Sequence, residues 1–395
     1  MPQRWRDLVV TLVHLALFAQ LGVLTRIYLD KLFATCKPGP DFGTCLTSEG
    51  LKHNTLGAYF TDIASNMLGS FIMGLLAAGA TLGLSSKKEI AILPAKSSWQ
   101  SAPELHIGLR TGYCGSLTTF ASWEYSLVTS LLGGLGKEGG QWTEFLWGMV
   151  IGLQTALSSY VFGQYCAMLI DRYITPGGRA EADLEKMAAM QTADIQASRA
   201  GELTDAEKAL QMDEYETEGP SEPGFHYKTH IGAGILLALS TALFLALFVL
   251  DNSPKHISRQ APVSARGRWL AVLFGPIGCT LRWTLSKTNY TLPGEWKWLP
   301  IGTFAANMLA CTVNYFIGGT SSHLGKLSMW STIVTYAIRT GFSGALSTVS
   351  TFVAEITAQF RVLPEKLHGF IYAVGSLFTG ALLGVIIYGS MVWTA

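Results

Sequence analysis

Long apolar runs broken by short polar loops dominate this chain. Residues 231–250, IGAGILLALSTALFLALFVL, contain no charge. Wound as a helix, such a run rises about 30 Å, the thickness of a bilayer's hydrocarbon core. Comparable runs lie at 8–29, 55–82, 106–132, 144–170, 268–285, 299–319, 329–358 and 367–394. The pattern predicts an all-α polytopic membrane protein with nine transmembrane helices. An odd number of spans puts the two termini on opposite sides of the bilayer. The first run is expected to be retained, because its nearest approach to a cleavage site, Ala16-Leu-Phe-Ala19, has the wrong spacing.

One hydrophilic stretch interrupts the pattern. Residues 171–228 are rich in Glu, Asp, Ala and Gln, with Pro and Gly at either end. They read as a linker: a solvated surface helix over 181–212, then a disordered acidic tail, with no part in a pore.

The apolar runs repeat. Arg110-Thr-Gly-Tyr-Cys-Gly-Ser-Leu-Thr-Thr-Phe-Ala-Ser-Trp123 matches Arg339-Thr-Gly-Phe-Ser-Gly-Ala-Leu-Ser-Thr-Val-Ser-Thr-Phe352 without a gap. Fainter echoes keep the same order. Gly22 and Arg26 pair with Gly278 and Arg282, and Asn66-Met-Leu pairs with Asn307-Met-Leu. Gly152, Ser159 and Gly163 pair with Gly369, Ser376 and Gly380. Duplication explains this order. The expected organisation is therefore a four-helix unit over 1–170, the linker 171–228, a linking transmembrane helix over 229–251, and a second, inverted four-helix unit over 252–395. Four spans return the chain to its starting side, so a single extra helix is what inverts the second unit.

Composition sharpens this only in places. Charged residues make up 14% and hydrophobic residues 49% of the 395 residues, a balance suited to lipid and not to a soluble domain of this length. A net charge of +1 argues against a nucleic-acid partner. Lys and Arg near span ends favour the side of the N-terminus, which places that end in the cytoplasm and the C-terminus outside. Cys36 and Cys45 then face an oxidising compartment, either paired or as free thiols. The sequon Asn289-Tyr-Thr291 falls on the cytoplasmic side and close to a span end, where glycosylation is not expected.

The repeated motif puts Gly112, Gly115, Ser116, Thr118 and Thr119 in mid-span, and likewise Gly341, Gly344, Ser347 and Thr348. Irregular backbone survives at membrane depth only where it is buried in protein or lines a cavity. A break there frees backbone carbonyls, ligands for a small hard cation, and aromatic edges beside it can meet a dehydrated anion. A single such motif would read as a small-residue packing face; its repetition favours a break. Asn66 and Asn307 need either a helix partner or a ligand. Arg26 and Arg282, near span ends, either draw anions into a vestibule or snorkel to the interface.

The motif resembles the signature GxxGGxTTFSTF of the Fluc (CrcB) fluoride channels. The fused layout resembles the two-unit fluoride exporters of fungi and plants. That resemblance covers all nine spans and leaves out the linker. It implies a passive, fluoride-selective channel in the plasma membrane, with one polypeptide acting as a monomeric pseudo-dimer in the lipid bilayer. It also implies one structural sodium ion (Na+) on the carbonyls of Gly115, Thr118, Gly344 and Ser347. The implied fluoride path holds Phe120, Phe352, Asn307, Asn66, Tyr372, Ser376, Ser350 and Thr351. The halves differ: Phe120 with Phe352 completes the family's aromatic pair, whereas Trp123 with Val349 does not. One working and one degenerate pore are therefore expected. A proton-coupled fluoride exporter or a small-multidrug-type exporter is the alternative, and it would use Asp62, Glu124 or Glu355. No His or carboxylate recurs at equivalent positions in both halves. An intramembrane enzyme would need a convergent catalytic constellation that the sequence does not offer.

Overall fold

Sequences that place small and β-branched residues among long apolar runs form helices when lipid leaves backbone groups no other partner. A computed structural model of the chain describes residues 3–33, 62–82, 89–133, 139–174, 180–208, 210, 223–253, 263–325 and 327–394. Cys36 and Cys45 lie outside the described residues. Among these residues the structure is predominantly helical, without a strand.

The main helices are α1 (Gln3–Leu32), α2 (Ile63–Leu82), α3 (Phe120–Leu132), α4 (Trp142–Ile174), α5 (Ala180–Arg199), α6 (Pro223–Asp251), α7 (Val263–Ser286), α8 (Ile301–Leu324), α9 (Ser350–Phe360) and α10 (His368–Gly384). Among the described residues, six stretches are long and apolar enough to cross a membrane by length and composition: Trp5–Leu32, Ile63–Leu82, Trp142–Ile174, Tyr227–Asp251, Ile301–Leu324 and His368–Trp393. The other three expected spans differ for physical reasons. α7 carries Arg266, Arg268 and Arg282, and the runs 106–132 and 329–358 are broken in their middles.

Both breaks have the same construction, 229 residues apart. A wide π-helical turn (Gly108–Cys114, Ala337–Ser343) leads into a short helix (Gly115–Leu117, Gly344–Leu346). Two extended residues follow in the first, Thr118 at φ −85°, ψ 153° and Thr119 at φ −147°, ψ 121°; in the second Ser347 is extended at φ −84°, ψ 159°, and Val349 is already helical at φ −100°, ψ −35° before α9 begins. π-Turns of this kind concentrate at functional sites.

Around the breaks, α1 packs on the first π-turn and α7 on the second, and α1 and α7 pack on each other. α6 flanks this pair, tied to α1 by Gln20 (Nε2 to Thr241 Oγ1, 2.9 Å) and Ser240 (Oγ to Gln20 Oε1, 2.6 Å). Asp251 near its end meets Arg268 at 3.2 Å and Trp269 at 2.8 Å. Most of α6 otherwise faces outward.

The linker corrects an expectation. α5 is a surface helix with most of its described positions exposed, but one edge of it is docked on the rest of the chain. The Asp194 side chain is fully buried, accepts from Asp205 N at 2.6 Å and pairs with Arg361 at 3.2 Å. Arg199 pairs with Glu365, and the Arg361 Nη1 donates to Thr81 O. Met187, Gln191 and Ala206 of this segment roof a cavity of ≈ 400 Å³ walled by Thr81, Tyr160, Gln164 and Thr357. The sequence shows an acidic, alanine-rich helix; that Arg361 waits for it is visible only in three dimensions. Arg361→Ala leaves Asp194 buried without its cation, a loss of about 3–5 kcal/mol for a buried pair. The variant is expected to be cut within 180–208 by limited proteolysis faster than the parent, with the rest of the chain protected.

Candidate functional site

The two breaks are held by polar groups that sequence alone could flag but not connect. Asn66 Nδ2 donates to Thr119 O at 3.2 Å, and its Oδ1 accepts from Thr119 N at 2.8 Å. Asn307 does the same with Thr348, at 3.2 and 2.8 Å. Both carboxamides, expected along a pore, are instead committed to clamping the breaks, which satisfies otherwise orphaned backbone. The caps are crossed between halves. Thr118 Oγ1 accepts from Val349 N and Ser350 N, each at 3.1 Å, at the start of α9. Ser347 Oγ accepts from Ala121 N at 3.1 Å at the start of α3. Ser350 joins the same hydroxyl cluster through Thr118 and Thr348. Thr351 lines a small cavity with Thr111, Asn289 and Glu355.

These bonds divert the amides that a continuous helix would return to four carbonyls. Thr119 N goes to Asn66 and not to Gly115 O; Ser122 N goes to Thr119 Oγ1 and not to Thr118 O. Thr348 N goes to Asn307 and not to Gly344 O; Thr351 N goes to Thr348 Oγ1 and not to Ser347 O. The oxygens released from helix bonding belong to the four residues expected to hold sodium; Arg26 takes up those of Gly344 (2.7 Å) and Thr118 (3.5 Å), and hard oxygen donors of this kind fit an alkali cation.

Arg26 and Arg282 answer part of the same need, and here the vestibule expectation is corrected. They are 1% and 2% exposed, at the crossing of α1 and α7. Arg26 Nη1 donates to Gly344 O at 2.7 Å and its Nη2 to Thr340 O. Arg282 Nε donates to Ala345 O at 3.0 Å and its Nη2 to Thr111 O at 2.7 Å. Arg26 Nη1 also reaches Thr118 O at 3.5 Å, so each fork bonds carbonyls of both halves. Gly115 and Gly344 are required here, since a Cβ at either would strike the guanidinium of Arg282 or Arg26.

Beyond the crossing lies an aromatic row. Phe120 and Phe352 meet edge to face, centroids 5.4 Å apart and planes at 78°. Phe352 meets Tyr372 in the same way, at 5.1 Å and 71°. Tyr372 donates to Glu355 Oε2 at 2.8 Å, while Thr303 Oγ1 (2.6 Å) and Asn289 Nδ2 (3.2 Å) hold Oε1. Asn289 escaped the sequence reading because it sits in a loop and resembles a sequon. One turn beyond Tyr372 on α10, the Ser376 hydroxyl is buried and has no hydrogen-bond partner among the described residues. Unpartnered too are both polar atoms of Asn314, the Tyr315 hydroxyl on α8 and both carboxyl oxygens of Glu124 on α3. Neither Asn314 nor Tyr315 was singled out from sequence, since each reads as one polar residue in an apolar helix.

The equivalent place in the first half is filled. Trp123 stands where Phe352 does in the repeat, with Nε1 donating to Gly148 O at 3.2 Å and its ring packed on Gly152. Thr155, in the register of Tyr372, turns its hydroxyl onto its own helix at Ile151 O, 2.7 Å. α2 and α4 touch backbone to backbone, so that a Cβ on Gly74 would strike Tyr160 O and one on Gly163 would strike Phe71 O. Asp62 is buried at the head of α2 rather than in mid-span.

Known proteins carry the same pattern. The profile of the CrcB-like protein, Camphor Resistance (CrcB) family matches residues 13–168 and 269–389. Fluoride export protein 1 of Neurospora crassa is 24% identical over 409 residues, covering 97% of this chain and 67% of that protein. Fluoride export protein 1 of Saccharomyces cerevisiae is 28% identical over 317 residues, 73% of this chain and 76% of its own length. The fluoride-specific ion channel FluC of Escherichia coli is 35% identical over 130 residues, 31% of this chain but 85% of that shorter protein. With two separate segments matched over more than half its length, each spanning one of the breaks, the chain belongs to the CrcB-like family.

Proposed function

We propose that this chain is a fluoride-selective channel that lets fluoride leave the cytoplasm passively through one working path. The observation that carries this is the row Phe120–Phe352–Tyr372 leading to the unpartnered Ser376 hydroxyl. A dehydrated fluoride needs donors in sequence, and ring edges, a phenol and a hydroxyl supply them where water is absent. Trp123 and the α2–α4 contact leave the other path degenerate. In this reading the nine helices form two inverted four-helix units joined by α6, one polypeptide working as a pseudo-dimer without a second copy. The N-terminus is cytoplasmic, the C-terminus extracellular, and the membrane is the plasma membrane.

Gly115, Thr118, Gly344 and Ser347 would hold the structural sodium by their freed carbonyls. When bound, the ion supplies fixed positive charge at the crossing, beside that of Arg26 and Arg282. The cell's negative interior drives fluoride outward, by roughly 2.3 kcal/mol per charge per 100 mV.

The test is fluoride efflux from liposomes holding the purified chain, followed with an electrode under a potassium-clamped voltage. Rapid, voltage-driven efflux without proton counterflow is expected. Efflux strictly tied to protons would instead establish the proton-coupled exporter, for which the buried carboxyls Asp62, Glu124 and Glu355 are the candidates.

A further inference from the structure

Glu124 is unlike the other carboxyl beside the path. Glu355 is bonded through both oxygens, to Tyr372, Thr303 and Asn289. Glu124 is fully buried and neither of its oxygens has a partner among the described residues. Its position is well defined. A Cβ built on Gly380 of α10 would lie 3.2 Å from the Glu124 carboxyl carbon. Gly380 is one turn past Ser376, and Ser376 one turn past Tyr372, so all three lie on one face of α10. The carboxyl therefore stands next along the line that runs from Phe352 through Tyr372 to Ser376. Across from it on α8 are Cys311 and Tyr315, both fully buried, and the Tyr315 hydroxyl is likewise unpartnered among the described residues. Gly384, one further turn on, gives the Tyr315 ring its room, since a Cβ there would come within 2.7 Å of it.

The surroundings decide what this carboxyl can do. α8 presents Cys311 and Tyr315, and α10 presents only Gly380 and Ser376 nearby, with Tyr388 further on and donating to Gly133 O. α4 faces α3 with Phe145, Gly148, Met149 and Gly152, and with one carboxyl, Glu144, whose Oε2 accepts from Ser130 Oγ at 2.8 Å further along α3. From the second π-turn comes Arg339, whose guanidinium lies over the Tyr125 ring at 4.0 Å. No donor reaches the carboxyl from any of these elements among the described residues. An ionised carboxylate without a donor is costly to bury and would repel an anion in the path. A carboxylic acid has an O–H to give, and a partly dehydrated fluoride is a strong acceptor for it.

We propose that Glu124 is a further fluoride-binding group of the path, one that serves only while protonated. The acid O–H donates to the ion as it passes from Ser376, the proton stays on the carboxyl, and loss of that proton closes this step. The proposal rests on the channel reading above, and adds to it a proton-dependent conductance without proton transport.

Efflux from the same liposomes, with equal pH on both faces and pH raised from neutral to alkaline, tests it. Flux through the unaltered chain is expected to fall, with a slope of at most about tenfold per pH unit, the limit for one proton. Glu124→Gln keeps a donor of nearly the same shape and cannot ionise. It is expected to conduct at a rate that no longer changes with pH across the range, at whatever level the amide donor supports. Unaltered flux that ignores pH, an unchanged pH dependence in Glu124→Gln, or a folded Glu124→Gln that does not conduct would each overturn the proposal. Gly380→Ala, whose methyl presses on the carboxyl from α10, gives a second handle. Lowered flux at every pH is expected there, and full flux would count against the proposal. Absence of fluoride flux in the unaltered chain at any pH would instead overturn the channel reading, and this proposal with it.

Discussion

Phe352→Ala and Phe120→Ala should each lower voltage-driven fluoride efflux at least about a hundredfold, ~2.7 kcal/mol on the barrier. Both rings are fully buried, meet at 5.4 Å, and lead on to Tyr372, so removal of either opens a gap where the dehydrated ion would need an edge. The counterpart in the first half should behave differently. Trp123→Phe is expected to leave the rate within about threefold, under ~0.7 kcal/mol. Its ring is held on Gly148 and Gly152 of α4 and meets Phe120 edge to face at 5.6 Å, a contact that phenylalanine can keep. Phenylalanine is the informative change, because truncating a buried tryptophan to alanine costs about 3–5 kcal/mol of stability. Val349→Ala should also be mild, since its backbone N–H, not its side chain, makes the bond to Thr118. Equal losses at all four positions, measured by liposome efflux on monodisperse protein, would defeat the single-path assignment.

Arg26→Ala is expected to compromise the fold before it alters conduction. The guanidinium joins α1 to two carbonyls of the second half, at Gly344 and Thr340, with almost no exposure. Its removal strands buried acceptors at the crossing, a loss of about 3–5 kcal/mol by analogy with one-sided removal of a buried charged partner. Lysine should rescue only part of this, because an ammonium cannot span both oxygens as the planar fork does. Arg282→Ala should follow the same course through Ala345 and Thr111. Thermal unfolding in detergent and elution profile are the measurements. A vestibule residue would give a different result: a stable protein whose conductance falls and whose salt dependence flattens.

The two arginines also show where sequence reading stops. Position 26 lies near the end of the apolar run 8–29, which suggested an interface. The helix continues to Leu32 and crosses α7 at that point, so the side chain is enclosed by the second half. Asn66 and Asn307 were recognisable as amides needing partners. That their partners are the break residues Thr119 and Thr348 depends on how α2 and α8 lie against the breaks. The linker was legible as polar and helical, but its docking depends on Arg361, more than 160 residues away from Asp194 and on another element.

From its sequence alone this chain was determined to be helical and membrane-spanning, duplicated, and broken at two equivalent places, with aromatic residues just beyond each break. Those properties are local: twenty apolar residues need a helix in lipid, and glycine, serine and threonine in mid-span weaken one. Tertiary structure alone decided which amides leave the four carbonyls, which arginine reaches them, and which buried polar side chains stay unpartnered among the described residues. Each of those depends on side chains that meet across helices far apart in the chain. Close packing, acting on differences as small as Gly380 beside Glu124 or Gly152 beneath Trp123, settles them.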